Sequence, residues 1–414
     1  MFELERWQEI FETIRKNKLR TFLTGLSVAS GIFILVILLA IGNGMENGVA
    51  KQFEKDAENK ISVWTGVTSL GYKGLNPGRF IQLKNDDYNQ TVQKHQDHLE
   101  YKSPAYRIWS GLTTYNKEFG SYRIEGVLPD FQFLENESLV QGRYINLQDQ
   151  QNYEKVAVIG NKVFTDLFKG KNAIGEYIEI TGINFKVIGV FSDPGGEREE
   201  ARIFMPLSTS QRVFNAGDAI RTLAYTLHST GNFDKDLEAS EVFIAQLENQ
   251  LKSKHTVAAE DTRAINIRSN LENAKKFYDL NFMISLFFWG VGICTIIAGV
   301  VGVSNIMLII VKERTKEMGI RKALGAEPWS IIAMILHESI FITTIAGFTG
   351  LIFGLGLLEI VSPLIDVEYI SNPSVDFKTA IITVFILIVA GAIAGFFPAY
   401  RAANIKPIEA LRDE

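Results

Sequence analysis

The residues of this chain that could do chemistry are few, and most lack the spacing that the chemistry requires. A phosphate-binding loop needs G-x-x-x-x-G-K-[ST], where backbone amides cradle phosphate oxygens and the lysine reaches the terminal groups. The nearest approach, Gly66-Val-Thr-Ser-Leu-Gly71-Tyr72-Lys73, has its lysine displaced by one position and no hydroxyl residue after it. Gly170-Lys171 lacks the rest of the motif. His95 and His98, with Asp97 between them, place two imidazoles at i, i+3 on a helix face. Such a pair binds a metal weakly, and solvated polar helix surface explains it better. No serine or cysteine stands in a G-x-S-x-G context. The expectation is that no enzyme active site, cofactor site or metal centre is carried by this chain, and no feature suggests nucleic acid.

Two charged groups remain. His337 and Glu338 open a long apolar run, and an ionisable residue at membrane depth is a functional suspect. Their depth depends on where the helix containing them begins, so a carrier driven by an ion gradient, with Glu338 as proton site, stays open. The other group is Lys312 to Ala326, Lys-Glu-Arg-Thr-Lys-Glu-Met-Gly-Ile-Arg-Lys-Ala-Leu-Gly-Ala. Glu313, Glu317 and Arg321 recur at i, i+4, i+8, with Glu317 correctly N-terminal to Arg321 for a favourable pair. Ile320, Ala323 and Leu324 form a small apolar face. Gly319 costs a helix about 1 kcal/mol relative to alanine, so it marks a break or a close backbone approach. Gly325 suits a C-terminal cap, and Pro328 the first turn of the next helix. A short helix with apolar side chains available to a partner is expected at 312–327; anchoring of anionic lipid heads is the alternative.

The elements that position this segment are apolar. Thr21 to Met45, Leu280 to Val311, Ser339 to Leu358 and Thr379 to Tyr400 carry no charged residue. Each is about the ~20 residues that cross a bilayer core, so four transmembrane helices are expected, at 21–45, 280–311, 328–358 and 377–400. The mean hydropathy of +0.08 fits such a chain. Lys and Arg cluster before the first span, between the second and third (Lys312, Arg314, Lys316, Arg321, Lys322), and after the fourth. By the positive-inside rule both termini and the connector face the cytoplasm, and 46–279 lies outside. The first span is longer than the usual signal core of about 7–15 residues and reads as an uncleaved anchor. Before it, Trp7, Ile10, Phe11 and Ile14 recur at helical spacing, which suits an amphipathic cytoplasmic helix over 1–20. The net charge of −5 averages compartments and excludes little. The one cysteine, Cys294, lies within a span, so an internal disulfide is impossible.

The 46–279 region has an α/β texture. Strands are expected at 59–65, 103–115, 121–127, 155–160, 176–180, 184–191, 223–228 and 264–267, with Thr181-Gly182 as a hairpin turn. Helices are expected at 83–98, 163–168, 207–214 (capped by Ser208 or Thr209) and 233–252, the last with Val242, Ala245, Leu247 and Leu251 inward. This implies two lobes, an α/β lobe from 50–118 and 220–268 and an inserted, mostly β lobe at 119–219. Within the spans, Gly350/Gly354 and Gly391/Gly395 are small-xxx-small pairs that mark helix contacts.

Three segments also carry a family resemblance. Glu313-Arg-Thr-Lys-Glu-Met-Gly-Ile-Arg-Lys-Ala-Leu-Gly-Ala326 closely resembles the coupling segment of the MacB/FtsX-like permeases of ABC transporters. Gly395-Phe-Phe-Pro-Ala-Tyr-Arg-Ala-Ala-Asn-Ile-Lys-Pro-Ile-Glu-Ala-Leu-Arg412 is similar to that family's ending, and Asn17-Lys-Leu-Arg-Thr-Phe-Leu-Thr24 with Gly42 and Gly44 to its entry into the first span. The resemblance implies a permease-only subunit, similar to LolC and LolE, in the bacterial inner membrane. It implies a homodimer or a heterodimer with a related permease, a separate ABC ATPase subunit that holds ATP and Mg, membrane lipid around the spans, and room for a periplasmic adaptor or other external protein. By the same resemblance, Glu313, Arg314, Glu317, Met318, Gly319, Ile320, Arg321, Leu324 and Gly325 would couple ATP hydrolysis to movement of the external domain, a mechanotransmission that exports or releases a peptide, drug or lipoprotein. An FtsX-like activation of a cell-wall hydrolase is the alternative within the family.

Overall fold

The computed structural model describes residues 18–53, 57–109, 111–367 and 370–405. The amphipathic helix expected over 1–20 therefore lies almost wholly outside the described residues, as does the tail beyond Ile405. The chain forms two compact units, 1–49 with 278–414, and 50–277.

Helix α1 (Lys18–Phe53) is followed in chain order by β1 (Ile61–Thr65), β2 (Leu83–Lys84), α2 (Asn85–His95), β3 (Leu99–Ile108), β4 (Leu112–Tyr115), β5 (Glu118–Ser121) and β6 (Arg123–Val127). Next come α3 (Phe131–Leu134), β7 (Ser138–Gly142), α4 (Leu147–Gln151), β8 (Val156–Gly160), α5 (Asn161–Phe168), β9 (Tyr177–Ile180) and β10 (Ile183–Ser192). The α/β unit closes with α6 (Glu197–Glu200), β11 (Arg202–Pro206), α7 (Leu207–Val213), β12 (Ala219–Ile220), β13 (Thr222–Leu227), α8 (Phe233–Lys254) and β14 (Ile265–Ser269).

One sheet runs through this unit in the order β14-β1-β13-β3-β6-β11-β8-β10-β9-β4-β5, with β7 also paired to β10. Local sequence explains much of it. β8, Val-Ala-Val-Ile-Gly, is buried on both faces, as a continuous apolar run demands. β9 alternates exposed and buried residues, the period-2 signature of a half-covered strand. Thr181 and Gly182 both take positive φ (48° and 84°), which closes the two-residue hairpin between Ile180 and Ile183.

Two hydrophobic cores lie along the sheet. One gathers Ile61, Leu83, Leu223, Tyr225 and Leu247; the other gathers Ile124, Ile159, Phe168, Phe185 and Met205. A third, around Val127, Phe131, Val158 and Phe204, covers the opposite face of the sheet, because Val158 and Phe204 alternate along their strands with Ile159 and Met205. The two expected lobes are thus not separate sheets, because β3 pairs with β6 and carries the ladder across. The single strand expected at 103–115 is two, and β4 pairs with β9 and β5 on the far side. On α8 the buried face holds Leu237, Phe243, Leu247 and Leu251, while Val242 and Ala245 are exposed. The N-cap of α7 is Pro206, with no side-chain capping bond; the hydroxyls of Ser208 and Thr209 donate instead to the Gln150 and Glu154 carbonyls.

The other unit comprises most of α1, then α9 (Asn270–Glu313), α10 (Thr315–Ala323), α11 (Pro328–Val361), β15 (Asp366–Val367), β16 (Ile370–Ser371) and α12 (Phe377–Ala403). Four helices are long and apolar enough to cross a membrane, at Thr21–Gly48, Asn270–Glu313, Pro328–Leu364 and Lys378–Ala403. α9 starts ten residues before the expected span, through the charged segment that holds Glu272, Lys275, Lys276 and Asp279.

The bundle core is Val28, Ile32, Val36, Met307, Ala346, Leu351 and Leu387 among others. Close approach is set by the glycines. A methyl group at Gly350 would sit 2.2 Å from the Ala29 carbonyl oxygen, and one at Gly354 3.0 Å from Val36, so both lie against α1. Gly391 and Gly395 lie against Thr343 and Ser339 of α11 at 2.1 and 2.6 Å. Ser339 Oγ donates to the Gly391 carbonyl at 2.9 Å, a polar clasp inside that contact.

Candidate functional site

The connector between α9 and α11 is built to be rigid and to stand on the bundle. At Arg314 the chain turns out of α9; the Thr315 hydroxyl donates to the carbonyls of Val311 (3.1 Å) and Lys312 (2.8 Å), satisfying acceptors that the turn frees. α10 then runs unbroken through Gly319. Its end is a full Schellman motif: Gly325 at φ +95°, with Ala326 N–H donating to Arg321 O and Gly325 N–H to Lys322 O. Pro328 occupies the first turn of α11.

The helix has two faces. Met318, 2% exposed, packs with Val311, Ile331, Ile335, Ala399 and Ala402, and Gly319 is buried beside it. Met318 and Gly319 thus belong to the bundle side, and no partner can meet the Met318 side chain. The reason is geometric: Ile320 and Leu324 lie on the opposite arc, 45% and 84% exposed. Glu313, Ala323 and Gly325 are exposed with them, while Arg314, Glu317 and Arg321 are half-buried.

A chain of charges ties the helix down. Arg321 Nη2 meets Glu317 Oε1 at 2.9 Å; Glu317 Oε2 meets Arg314 Nε at 3.0 Å; Arg314 Nη1 reaches Glu338 Oε2 at 3.6 Å. Glu338, 3% exposed, is thus paired to the connector, and His337 beside it is exposed. Lys322 Nζ donates to the Ala403 and Ile405 carbonyls (2.5 and 2.9 Å), capping the end of α12. The sequence offered the Glu317–Arg321 pair; it gave no sign that Arg314 and Lys322 point inward.

The α/β unit holds a second ionic cluster that sequence reasoning missed. Arg202, 3% exposed, donates to Glu135 Oε2 at 2.8 Å and Asp193 Oδ2 at 2.7 Å, and Lys60 pairs with the other Glu135 oxygen. Burial works to raise the Glu135 carboxyl, but Lys60 and Arg202 overcome it and hold it down at about 2. Glu137 is the converse: burial pushes its carboxyl well above the ordinary 4.5 despite Arg202. Ala57 N–H donates to Leu134 O, and Asn270 bonds the backbone at Ala57 and Lys60, so both chain ends of the unit converge on this cluster.

His95 and His98 line a cavity of about 420 Å3 with His228, which the sequence scan did not pair with them. His95 is buried edge-on to Phe243, and burial lowers its pKa. Among the described residues no three His, Cys, Asp or Glu side chains are placed to hold a metal ion.

Residues 21–239 match the MacB-like periplasmic core domain, and residues 289–407 the FtsX-like permease C-terminal domain. The chain belongs to the MacB/FtsX-like permease family. The permease is 26% identical to the macrolide export ATP-binding/permease protein MacB of Bdellovibrio bacteriovorus, over 99% of this chain and 62% of that protein. It is 28% identical to the MacB of Chlorobaculum tepidum, over 98% of this chain and 61% of that one. The chain therefore spans about three-fifths of the length of these relatives. An uncharacterized ABC transporter permease of Methanocaldococcus jannaschii is 26% identical over 98% of this chain and 96% of its own. In kind, this permease is a membrane protein, with four helices long and apolar enough to span a bilayer.

Proposed function

We propose that the permease works as a dimer with two copies of an ATPase subunit, which bind ATP and Mg, and that α10 is the surface each ATPase grips. The observation that carries this is the division of α10 into a bundle face and a free apolar arc, Ile320 and Leu324. A helix fixed by Met318, by the Arg314–Glu338 pair and by Lys322 cannot be pushed without moving α9, α11 and α12 with it. Closure of the ATPases would drive the two connectors together, and α1 and α9, which run into the α/β unit, would carry the movement there. The basic flanks favour a cytoplasmic connector and cytoplasmic termini in a bacterial inner membrane.

Substrate would be expelled or handed on from the far side rather than threaded through the four spans. Candidates are a peptide, a drug or a lipoprotein; the name of the MacB relatives makes a macrolide the first compound to assay. The pairing of Glu338 with Arg314 at the connector weighs against a proton-driven carrier. The test is co-purification with the ATPase and nucleotide turnover of the reconstituted complex. Leu324→Asp combined with Ile320→Asp should lower ATPase retention at least tenfold while the permease stays folded. Full retention with normal coupling in the double variant would sink the reading.

A further inference from the structure

The foot of the bundle holds a cavity of about 550 Å3 between the end of α9 and the end of α12. Its walls are of two kinds. Leu308 and Ile309 of α9 supply apolar surface; Lys312, Arg401 and Tyr400 supply polar groups to the same lining. Both cations are exposed. The Arg401 guanidinium lies over the Phe397 ring at 4.7 Å, which orients it, and no carboxylate pairs with it or with Lys312 among the described residues. This is unlike the neighbouring cations, since Arg314 and Arg321 share Glu317 and Lys322 caps α12.

We propose that this cavity binds an anionic phospholipid, its phosphate between Lys312 and Arg401 and an acyl chain along Leu308 and Ile309. The position fits the ligand. Lys312 is the first cation after the uncharged run from Leu280 to Val311, and Arg401 the first after that from Thr379 to Tyr400, so both stand where hydrocarbon gives way to headgroups. Two unpaired cations take a phosphodiester more favourably than a zwitterionic headgroup, whose own ammonium they would repel. The apolar wall selects a lipid over free phosphate, because an ion alone would leave Leu308 and Ile309 uncovered. Lys312 and Thr315 line the site, so a bound lipid would brace the α9–α10 turn. The inference needs only that the bundle spans a membrane, and it stands whether or not an ATPase grips α10.

Native mass spectrometry of the full-length permease in detergent tests it, with phosphatidylglycerol, phosphatidylcholine and inorganic phosphate added separately. Wild type should retain phosphatidylglycerol at least tenfold more tightly than phosphatidylcholine, and millimolar phosphate should not displace it. Lys312→Gln and Arg401→Gln should each weaken retention about fivefold, from the usual contribution of one basic side chain at an anionic surface. Lys316→Gln, an exposed cation outside the cavity, should leave retention unchanged, and Lys312→Arg with Arg401→Lys should restore the preference if the glutamine variants disturb the fold. Equal retention in the double glutamine variant, equal binding of phosphatidylcholine, or displacement by phosphate alone would overturn the proposal.

Discussion

The connector and the α/β unit both rely on arginine held between carboxylates, in opposite surroundings. At the connector, Arg321, Glu317, Arg314 and Glu338 make a line whose outer half meets solvent and whose inner end is buried. In the α/β unit Lys60, Glu135, Arg202 and Asp193 are all closed off from water. A solvated pair can open and re-form at small cost, whereas a sealed one cannot lose a member without stranding a charge. The difference suits the two places. Solvent softens the outer ion pairs of the connector, which Met318 and Lys322 still hold to the bundle, while the buried cluster ties β11 to the ends of α3 and β10 without water.

The largest effect should come from breaking the sealed cluster. Arg202→Met leaves Glu135 and Asp193 buried without their guanidinium and should cost about 3–5 kcal/mol. Hydrogen exchange of the full-length protein in detergent should show β8 and β11 losing protection while the bundle helices keep theirs. Unchanged protection in β11 would mean that Arg202 is no keystone. Next in size is the bundle's own packing. Gly350→Leu drives a side chain into the Ala29 backbone and should cost about 1–3 kcal/mol, read as a lower thermal midpoint. Gly356→Leu, where the space is open, serves as the control and should change little.

Glu137 sharpens the comparison because it carries the opposite sign. Its folded-state carboxyl keeps a proton at pH values where the unfolded chain, near 4.5, has already lost it. The folded state then binds more protons, so stability falls as pH rises above 4.5 through the folded value. Glu137→Gln removes that loss and should stabilise the protein by about 1 kcal/mol at pH 8, with no gain at pH 4. Glu135 behaves in reverse: its depressed carboxyl contributes stability that is present above 4.5 and lost as pH falls toward 2. Denaturation midpoints of wild type and the variant across pH 2–8 separate the two.

What could be read from sequence follows the same line between patterned and unpatterned features. The spans, the Thr181-Gly182 hairpin and the Gly325 cap were legible because each has a local rule: absence of charge, positive φ, a left-handed terminus. The glycine pairs were legible by spacing, although which helix each meets was not. β7 and β11 escaped because Arg202 and the polar neighbours of β7 read as surface, and only partners distant in sequence make Arg202 an inside residue. The face of α8 was misjudged at two positions, Val242 and Ala245, with Val242 chosen where Phe243 packs, because one residue shifts a helical face by about 100°. β4 was merged with β3 although Ser110-Gly111 is a breaker, because the β-rich residues on either side read as one run. A connector helix was expected over 312–327 and forms over Thr315–Ala323, with Lys312 and Glu313 still in α9, but motif membership cannot say which way Met318 points; contact with Ile331 and Ala399 does.

The smallest expected effect tests the open end of the comparison. Glu317→Gln weakens both its i, i+4 pair with Arg321 and its i, i+3 pair with Arg314, and such part-solvated pairs are each worth about 0.3–0.5 kcal/mol. The thermal midpoint should therefore shift barely at all, and added salt should erase what shift there is. Nucleotide turnover in the complex should respond more than stability does, because Arg314 loses one of its two carboxylates and the line from α10 to Glu338 is cut in the middle. A stability loss as large as that of Arg202→Met would mean that the connector's ion pairs are held as firmly as the sealed cluster, and the contrast between solvated and sealed pairs would be gone.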